Sequence, residues 1–181
     1  MTPSEGFGAR PPDPTQPGPT KSNLMMILLI VVGVGIVGVG VLAAVAIPSF
    51  RSYISRAKQA EARATVATLA NAAKVAFAAN GALCPSAASP IPANADAVSG
   101  KKYLSSAAEW TSDPGFGCLG FFLGHPQYYQ YHYESTPTTF VVTARGDLDG
   151  DGQVSVFTLR GQVERGQVVV DQALEVTDAA E

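Results

Sequence analysis

The sequence predicts an α+β fold, in which one long N-terminal helix packs on a four-stranded antiparallel β-meander. Three observations lead to it: an uncharged apolar run at 24–47, a helical stripe of apolar residues at 48–80, and four β-rich segments within 127–175. The first half of the helix is predicted to be transmembrane. The apolar face of a meander needs a cover, and the stripe on the second half supplies it.

Residues 1–23 are rich in proline and glycine and hold few side chains that can fill a core. We expect a disordered arm with polyproline-like stretches. It is not a secretory signal, because the apolar run that follows is longer than the 7–15 residues of such signals and continues as helix.

Residues 24–47 contain no charged side chain. As a helix this run is roughly 36 Å long, which exceeds the roughly 30 Å hydrocarbon core of a bilayer. Gly33, Gly40 and Ala44 share one face, and the last two have the spacing of small residues typical of close helix packing. A loosely wound span is the alternative. We therefore expect a single-pass membrane protein with the lipid bilayer as a partner.

Residues 48–80 continue the helix as an amphipathic segment. Apolar residues recur at steps of three and four, which predicts one face lying on an apolar surface. The members of this stripe are Val66, Leu69, Ala70, Ala73, Ala76 and Phe77. Asn80 and Gly81 end the helix in the usual way.

Residues 81–126 read as a long irregular loop with one short helical turn near 105–110. Cys84 and Cys118 both follow the span, and an even count in a small domain beyond a membrane indicates one disulfide in an oxidising compartment. Two unrelated buried thiols are the alternative. The bond would pin the loop, as connections of this length usually require.

Residues 127–175 carry the strand signals "QYYQYHYES", "TTFVVTA", "QVSVFTLR" and "QVVVDQAL" at hairpin spacing. Tyr129, Tyr131 and Tyr133 alternate onto one face, which we expect to be the core. Residues 176–181 are predicted to be a tail.

The segment "GVLAAVAIPSFRSYISRAKQAEARATVATLANAAKVAF" resembles the N-terminal helix of type IV pilins and type II secretion pseudopilins. "GVLAAVAIP", ending at Pro48, looks like that family's "GILAAIAIP". The resemblance implies a structural component of, or accessory to, a type IV pilus or type II secretion assembly. Its partners would be other pilin-like subunits or the membrane proteins of the pilus or secretion platform. It also implies an inner-membrane protein whose C-terminal domain is periplasmic or extracellular.

Three departures qualify this resemblance. Met26, Ile27 and Val31 stand where the family has the glycine, the phenylalanine and the glutamate of its processing and assembly signal. We therefore expect that the arm is retained and that no charge pairing occurs within the bilayer.

The charges that flank the span oppose the implied orientation. Cytoplasmic flanks usually carry the excess of basic residues. Two basic residues precede the span and four follow it: Arg10 and Lys21, then Arg51, Arg56, Lys58 and Arg63. We follow the resemblance and the cysteine pair, which both place the C-terminal domain outside the cytoplasm.

The motif "GDLDGDG" has the spacing of a calcium loop. Asp147, Asp149 and Asp151 would supply carboxylates, Gln153 a carbonyl, and Ser155 a hydroxyl or bridging water. Its twelfth position is a threonine instead of the bidentate glutamate, so any site is truncated and weak. A hairpin turn is the alternative, since aspartate and glycine are favoured there.

No catalytic motif is present, and calcium is the only cofactor that the sequence suggests. The net charge of −3 gives no reason to expect nucleic acid as a partner. We expect a structural protein and not an enzyme. The alternative is a membrane-tethered extracytoplasmic binding module, such as a calcium-dependent sensor or adhesin.

Overall fold

The computed structural model describes residues 21–177, except for the side chains of 21–22, 47–49 and 51. Most of the predicted arm and residues 178–181 of the predicted tail lie outside this range. The chain divides after Pro48 into two compact units.

One helix, α1, comprises Lys21–Asn80. The part of α1 that belongs to the first unit contains a 24-residue segment, Asn23–Ala46, which is long and apolar enough to cross a membrane. Among the residues described, none in this segment is buried. The apolar helix predicted from the sequence is therefore present.

In the second unit, α1 buries the predicted stripe. Val66, Leu69 and Ala73 are fully inaccessible to solvent, and Phe77 packs against the same core. The helix ends at Asn80 because Gly81 adopts a left-handed φ of 72° and donates its N–H to the Phe77 carbonyl at 2.8 Å.

The sheet contains the predicted antiparallel meander in the order β1-β2-β3-β4. A short fifth strand, β5, pairs with β3 and places Val176 opposite Phe157. The prediction of a tail from residue 176 is wrong for residues 176 and 177, because the partly buried Val176 packs on the core. The strands are β1 Gln130–Ser135, β2 Thr139–Gly146, β3 Ser155–Glu164, β4 Gln167–Val170 and β5 Glu175–Thr177.

The tyrosines of the first strand region lie in the core, as predicted. Tyr129, Tyr131 and Tyr133 are fully buried. Tyr129 packs edge-to-face on Phe157 with ring centroids 5.5 Å apart. Gln130, on the opposite face, is also buried because its amide donates to the Pro92 carbonyl at 2.7 Å.

The prediction of an irregular loop at 81–126 is wrong in two places, and the helical turn predicted near 105–110 is present as the second helix. Ser106 and Glu109 form a capping box, which starts the second helix, and Asp113 caps the third helix, with Pro114 as its first residue. The three elements are a 3₁₀ helix at Ala95–Val98, α2 at Ala107–Thr111 and α3 at Pro114–Leu119.

The predicted disulfide is present. Cys84 and Cys118 are joined with 5.7 Å between their Cα atoms. The segment after Cys84 closes the free edge of β1, since Ala87 donates its N–H to Tyr133 and Ile91 exchanges both bonds with Tyr131. The disulfide therefore fixes the start of a segment that covers a sheet edge.

Candidate functional site

The loop between β2 and β3 brings together the three carboxylates that the sequence singled out. One oxygen each of Asp147, Asp149 and Asp151 lies within 4.8 Å of the others. Gly150 and Gly152 make the tight path possible, because their φ angles of 83° and 92° are left-handed.

Asp147 is the anchor of this loop. Its carboxylate accepts hydrogen bonds from the Ser99 hydroxyl at 2.7 Å, from the Gly150 N–H at 2.7 Å and from the Gly152 N–H at 3.2 Å. Partial burial raises the pKa of Asp147, but these hydrogen bonds outweigh it, so the pKa lies below its ordinary value. Asp147 therefore carries a stable negative charge at the base of the loop.

The other two carboxylates close the loop on itself. Asp149 accepts from the Asp151 N–H at 3.2 Å, and Asp151 accepts from the Gln153 N–H at 2.8 Å. These bonds are the ones that a hairpin turn of this composition makes by itself. A carboxylate offers about four lone-pair positions, so the same oxygens retain capacity for a cation.

The other two predicted ligands follow the three carboxylates in the sequence. The Gln153 side-chain NH₂ donates to Asp151 at 3.0 Å, and the Gln153 carbonyl stays a predicted ligand. Ser155 is fully buried at the start of β3, where its hydroxyl donates to the Gly146 carbonyl at 3.1 Å and contacts the Tyr129 hydroxyl at 3.3 Å. The prediction of Ser155 as a ligand is wrong, because strand pairing turns its hydroxyl into the core.

Ser99 is a member of this site that the sequence did not reveal. It lies 48 residues before Asp147, and the adjacent Gly100 N–H also donates to the Asp147 carbonyl at 2.8 Å. A cleft of about 160 Å³ lies here, lined by residues that include Asp96, Ser99 and Arg145. No local pattern signals this contact, since it depends on how the 3₁₀ segment docks.

A second polar cluster joins α1 to the approach to β1. The Glu61 carboxylate accepts the Tyr128 N–H at 2.8 Å and the Tyr131 hydroxyl at 3.4 Å. Burial is the largest influence and raises the pKa of Glu61, against the opposing effect of the Tyr128 bond and of nearby His125 and Lys102. The cluster therefore holds a partly desolvated charge at the contact between helix and sheet.

Lys58 connects this cluster to the acidic loop. Its Nζ donates to the Leu148 carbonyl at 2.7 Å and lies 4.7 Å from the centroid of the Tyr128 ring. Lys102 lies at the same distance from that ring. Lys58 therefore holds the acidic loop through the Leu148 backbone carbonyl, and this contact does not use the three carboxylates.

Within residues 21–177, no side chain packs on the small residues Gly33 and Gly40 of the apolar segment. A Cβ atom added at Gly33 or Gly40 would meet nothing within 4 Å, and Ala44 is exposed. Packing of this face against another helix in the membrane stays a prediction.

No family model, no curated protein and no solved structure matches this chain. The class of protein is therefore inferred from the chain's own features, namely the apolar helix, the disulfide-bonded α+β domain and the acidic loop.

Proposed function

We propose that this chain is a pilin-like, single-span membrane protein with a structural role in, or accessory to, a type IV pilus or type II secretion assembly. The observation that carries the proposal is the 24-residue apolar segment at Asn23–Ala46, of which nothing is buried. The same helix continues into the buried stripe of the α+β domain.

The energetics of that segment favour a membrane. Leu24, Ile30 and Val34 are each more than half exposed, and so are most of the large apolar side chains around them. Removing one such side chain from water contributes about 1.5–3 kcal/mol. Because the described part of the chain does not cover these side chains, lipid or the helices of other membrane proteins would do so.

The disulfide supports an extracytoplasmic position for the C-terminal domain. Disulfides persist in the bacterial periplasm and at cell surfaces and are rare in the cytosol. The Cys84–Cys118 bond closes the segment that protects the edge of β1. We propose an inner-membrane anchor with this domain in the periplasm or beyond, and contacts rather than catalysis as its work.

Membrane insertion is tested with charge substitutions. Arginine near the middle of a span costs about 2.5–3.5 kcal/mol, so the double variant Val34→Arg, Val37→Arg should leave the carbonate-washed membrane fraction. Val75→Arg is the matched control, because Val75 is 61% exposed on the same helix but outside the apolar segment. Recovery of the wild-type chain in the soluble fraction would refute the anchor.

The assembly role is tested by cross-linking in intact cells followed by purification through the C-terminal domain. The proposal expects pilin-like subunits or platform proteins among the partners. Recovery of the chain without any such partner, from cells that are assembling the machine, would remove the structural role and leave only the anchor.

A second function is favoured by the acidic loop: a calcium-dependent binding module on the same anchor. The convergence of three carboxylates within 4.8 Å supports it. For a weak site with a Kd of about 10⁻³ M, calcium at about 10 mM stabilises the folded state by about 1.4 kcal/mol. Asp149→Ala should abolish the rise in Tm, whereas Asp171→Ala, another exposed carboxylate, should not. A wild-type Tm that calcium does not change would end this candidate.

A further inference from the structure

The start of the second unit exposes apolar and aromatic side chains. Phe50 is 64% exposed, Tyr53 71% and Ile54 38%. At about 100° per residue these three lie on one side of α1. Val66, in the buried stripe, is rotated by about 160° from Phe50, so this side faces away from the core. The residues that the structure describes therefore leave these side chains uncovered.

The distance of these residues from the apolar segment is informative. Phe50 and Tyr53 follow Ala46 by only four and seven residues of the sequence, so the chain keeps them within about 14 and 25 Å of the end of the apolar segment. The headgroup layer on each side of the hydrocarbon core is roughly 5–8 Å thick. Tyrosine is enriched at that depth because its ring is apolar and its hydroxyl is polar. These side chains are therefore within reach of the headgroup layer.

The charges in this segment have one sign. Residues 49–60 contain basic residues and no acidic one, and the first carboxylate after the span is Glu61. Lys58 is occupied by the Leu148 carbonyl, whereas Arg56 is exposed. A positive segment with exposed aromatic side chains complements a layer of anionic headgroups.

We propose that the exposed side chains of Phe50, Tyr53, Ile54 and Arg56 form a lipid-binding surface, in which Phe50 and Tyr53 insert among the headgroups and Arg56 binds the phosphates of anionic lipids. This inference rests on the proposed membrane anchor and adds its partner on the C-terminal side. It also gives the basic residues after the span a role other than setting orientation.

Tryptophan quenching by brominated lipids tests the surface in the full-length protein. The protein is reconstituted in vesicles of phosphatidylcholine with and without phosphatidylglycerol. Its single tryptophan, Trp110, is fully buried and provides a constant background. Tyr53→Trp should lose fluorescence beyond that background. Asn71→Trp should not, because Asn71 lies five turns further along the same side of α1, about 27 Å away.

The anionic preference is tested in the Tyr53→Trp variant. Phosphatidylglycerol should increase its quenching, and Arg56→Gln should remove that increase. Lys74→Gln is the matched control, since Lys74 is exposed and lies five turns beyond Arg56 on the same side. An increase that survives Arg56→Gln would overturn the role of Arg56.

The outcomes separate the two proposals. A protein that does not float with the vesicles refutes the anchor and the lipid surface together. Flotation without quenching at position 53 overturns the lipid surface alone and leaves the anchor. Equal quenching at positions 53 and 71 also overturns it, because the contact would then extend along the whole helix.

Discussion

Removal of the disulfide should destabilise the C-terminal domain by an amount that the loop length sets. Cys84 and Cys118 are 34 residues apart. In the chain-entropy model a loop of that length contributes about 3.8 kcal/mol by restricting the unfolded chain. The double variant Cys84→Ala, Cys118→Ala should lose about this much. With an m value of about 1–3 kcal/mol/M in urea, the unfolding midpoint should fall by more than about 1 M.

The assay is urea unfolding of the full-length protein in detergent, followed by the fluorescence of Trp110. This tryptophan lies inside the closed loop, is fully buried and donates its indole N–H to the Ser105 hydroxyl at 2.7 Å. Reduced wild-type protein is the control, because it lacks the bond but keeps both sulfur atoms in place. A loss below about 1 kcal/mol in both samples would contradict the entropic reasoning.

Three further predictions concern the same domain. Burial raises the pKa of Glu61, so the contribution of Glu61 to stability is present at acid pH and is lost as the pH rises through the folded-state pKa. The Tm of Glu61→Gln should therefore exceed the wild-type Tm by more at pH 7 than at pH 4, and an equal difference at both pH values would contradict this. Gly161→Ala should cost about 1–3 kcal/mol in thermal unfolding, since the new Cβ would overlap the buried Phe140 ring, and an unchanged Tm would refute the clash. Ser106→Ala removes the N-cap of α2 and should cost about 1 kcal/mol in urea unfolding, with Ser89→Ala, at an exposed loop residue, as a control; equal losses would count against the cap.

Two local signals between Cys84 and Cys118 indicate where short helices start. Ser106 with Glu109 has the spacing of a capping box, and Asp113-Pro114 is a common start of a helix. Both helices are short, so neither produces a clear apolar period. Capping residues are therefore the main local evidence for them; the turn predicted near 105–110 matches α2, whereas α3 lies where a loop is predicted.

The contacts of the candidate sites are also of two kinds, those within one loop and those between residues far apart in sequence. The spacing of Asp147, Asp149 and Asp151 was visible because a short loop brings its own residues together. The Ser99 bond to Asp147 joins residues 48 apart, and the Glu61 bond to Tyr128 joins residues 67 apart. Ser155 has the loop spacing in the sequence, yet strand pairing buries its hydroxyl.

Patterns within the sequence are enough to establish the features that follow from contact with solvent or lipid. The apolar run of α1, the buried stripe around Val66 and the alternation that buries Tyr131 all reflect periodicity, which is a local property. Contacts between distant groups, such as Ser99 with Asp147, are known from the three-dimensional structure alone. Hydrogen-bond partners far apart in sequence depend on how separate segments dock, and no pattern within either segment specifies that.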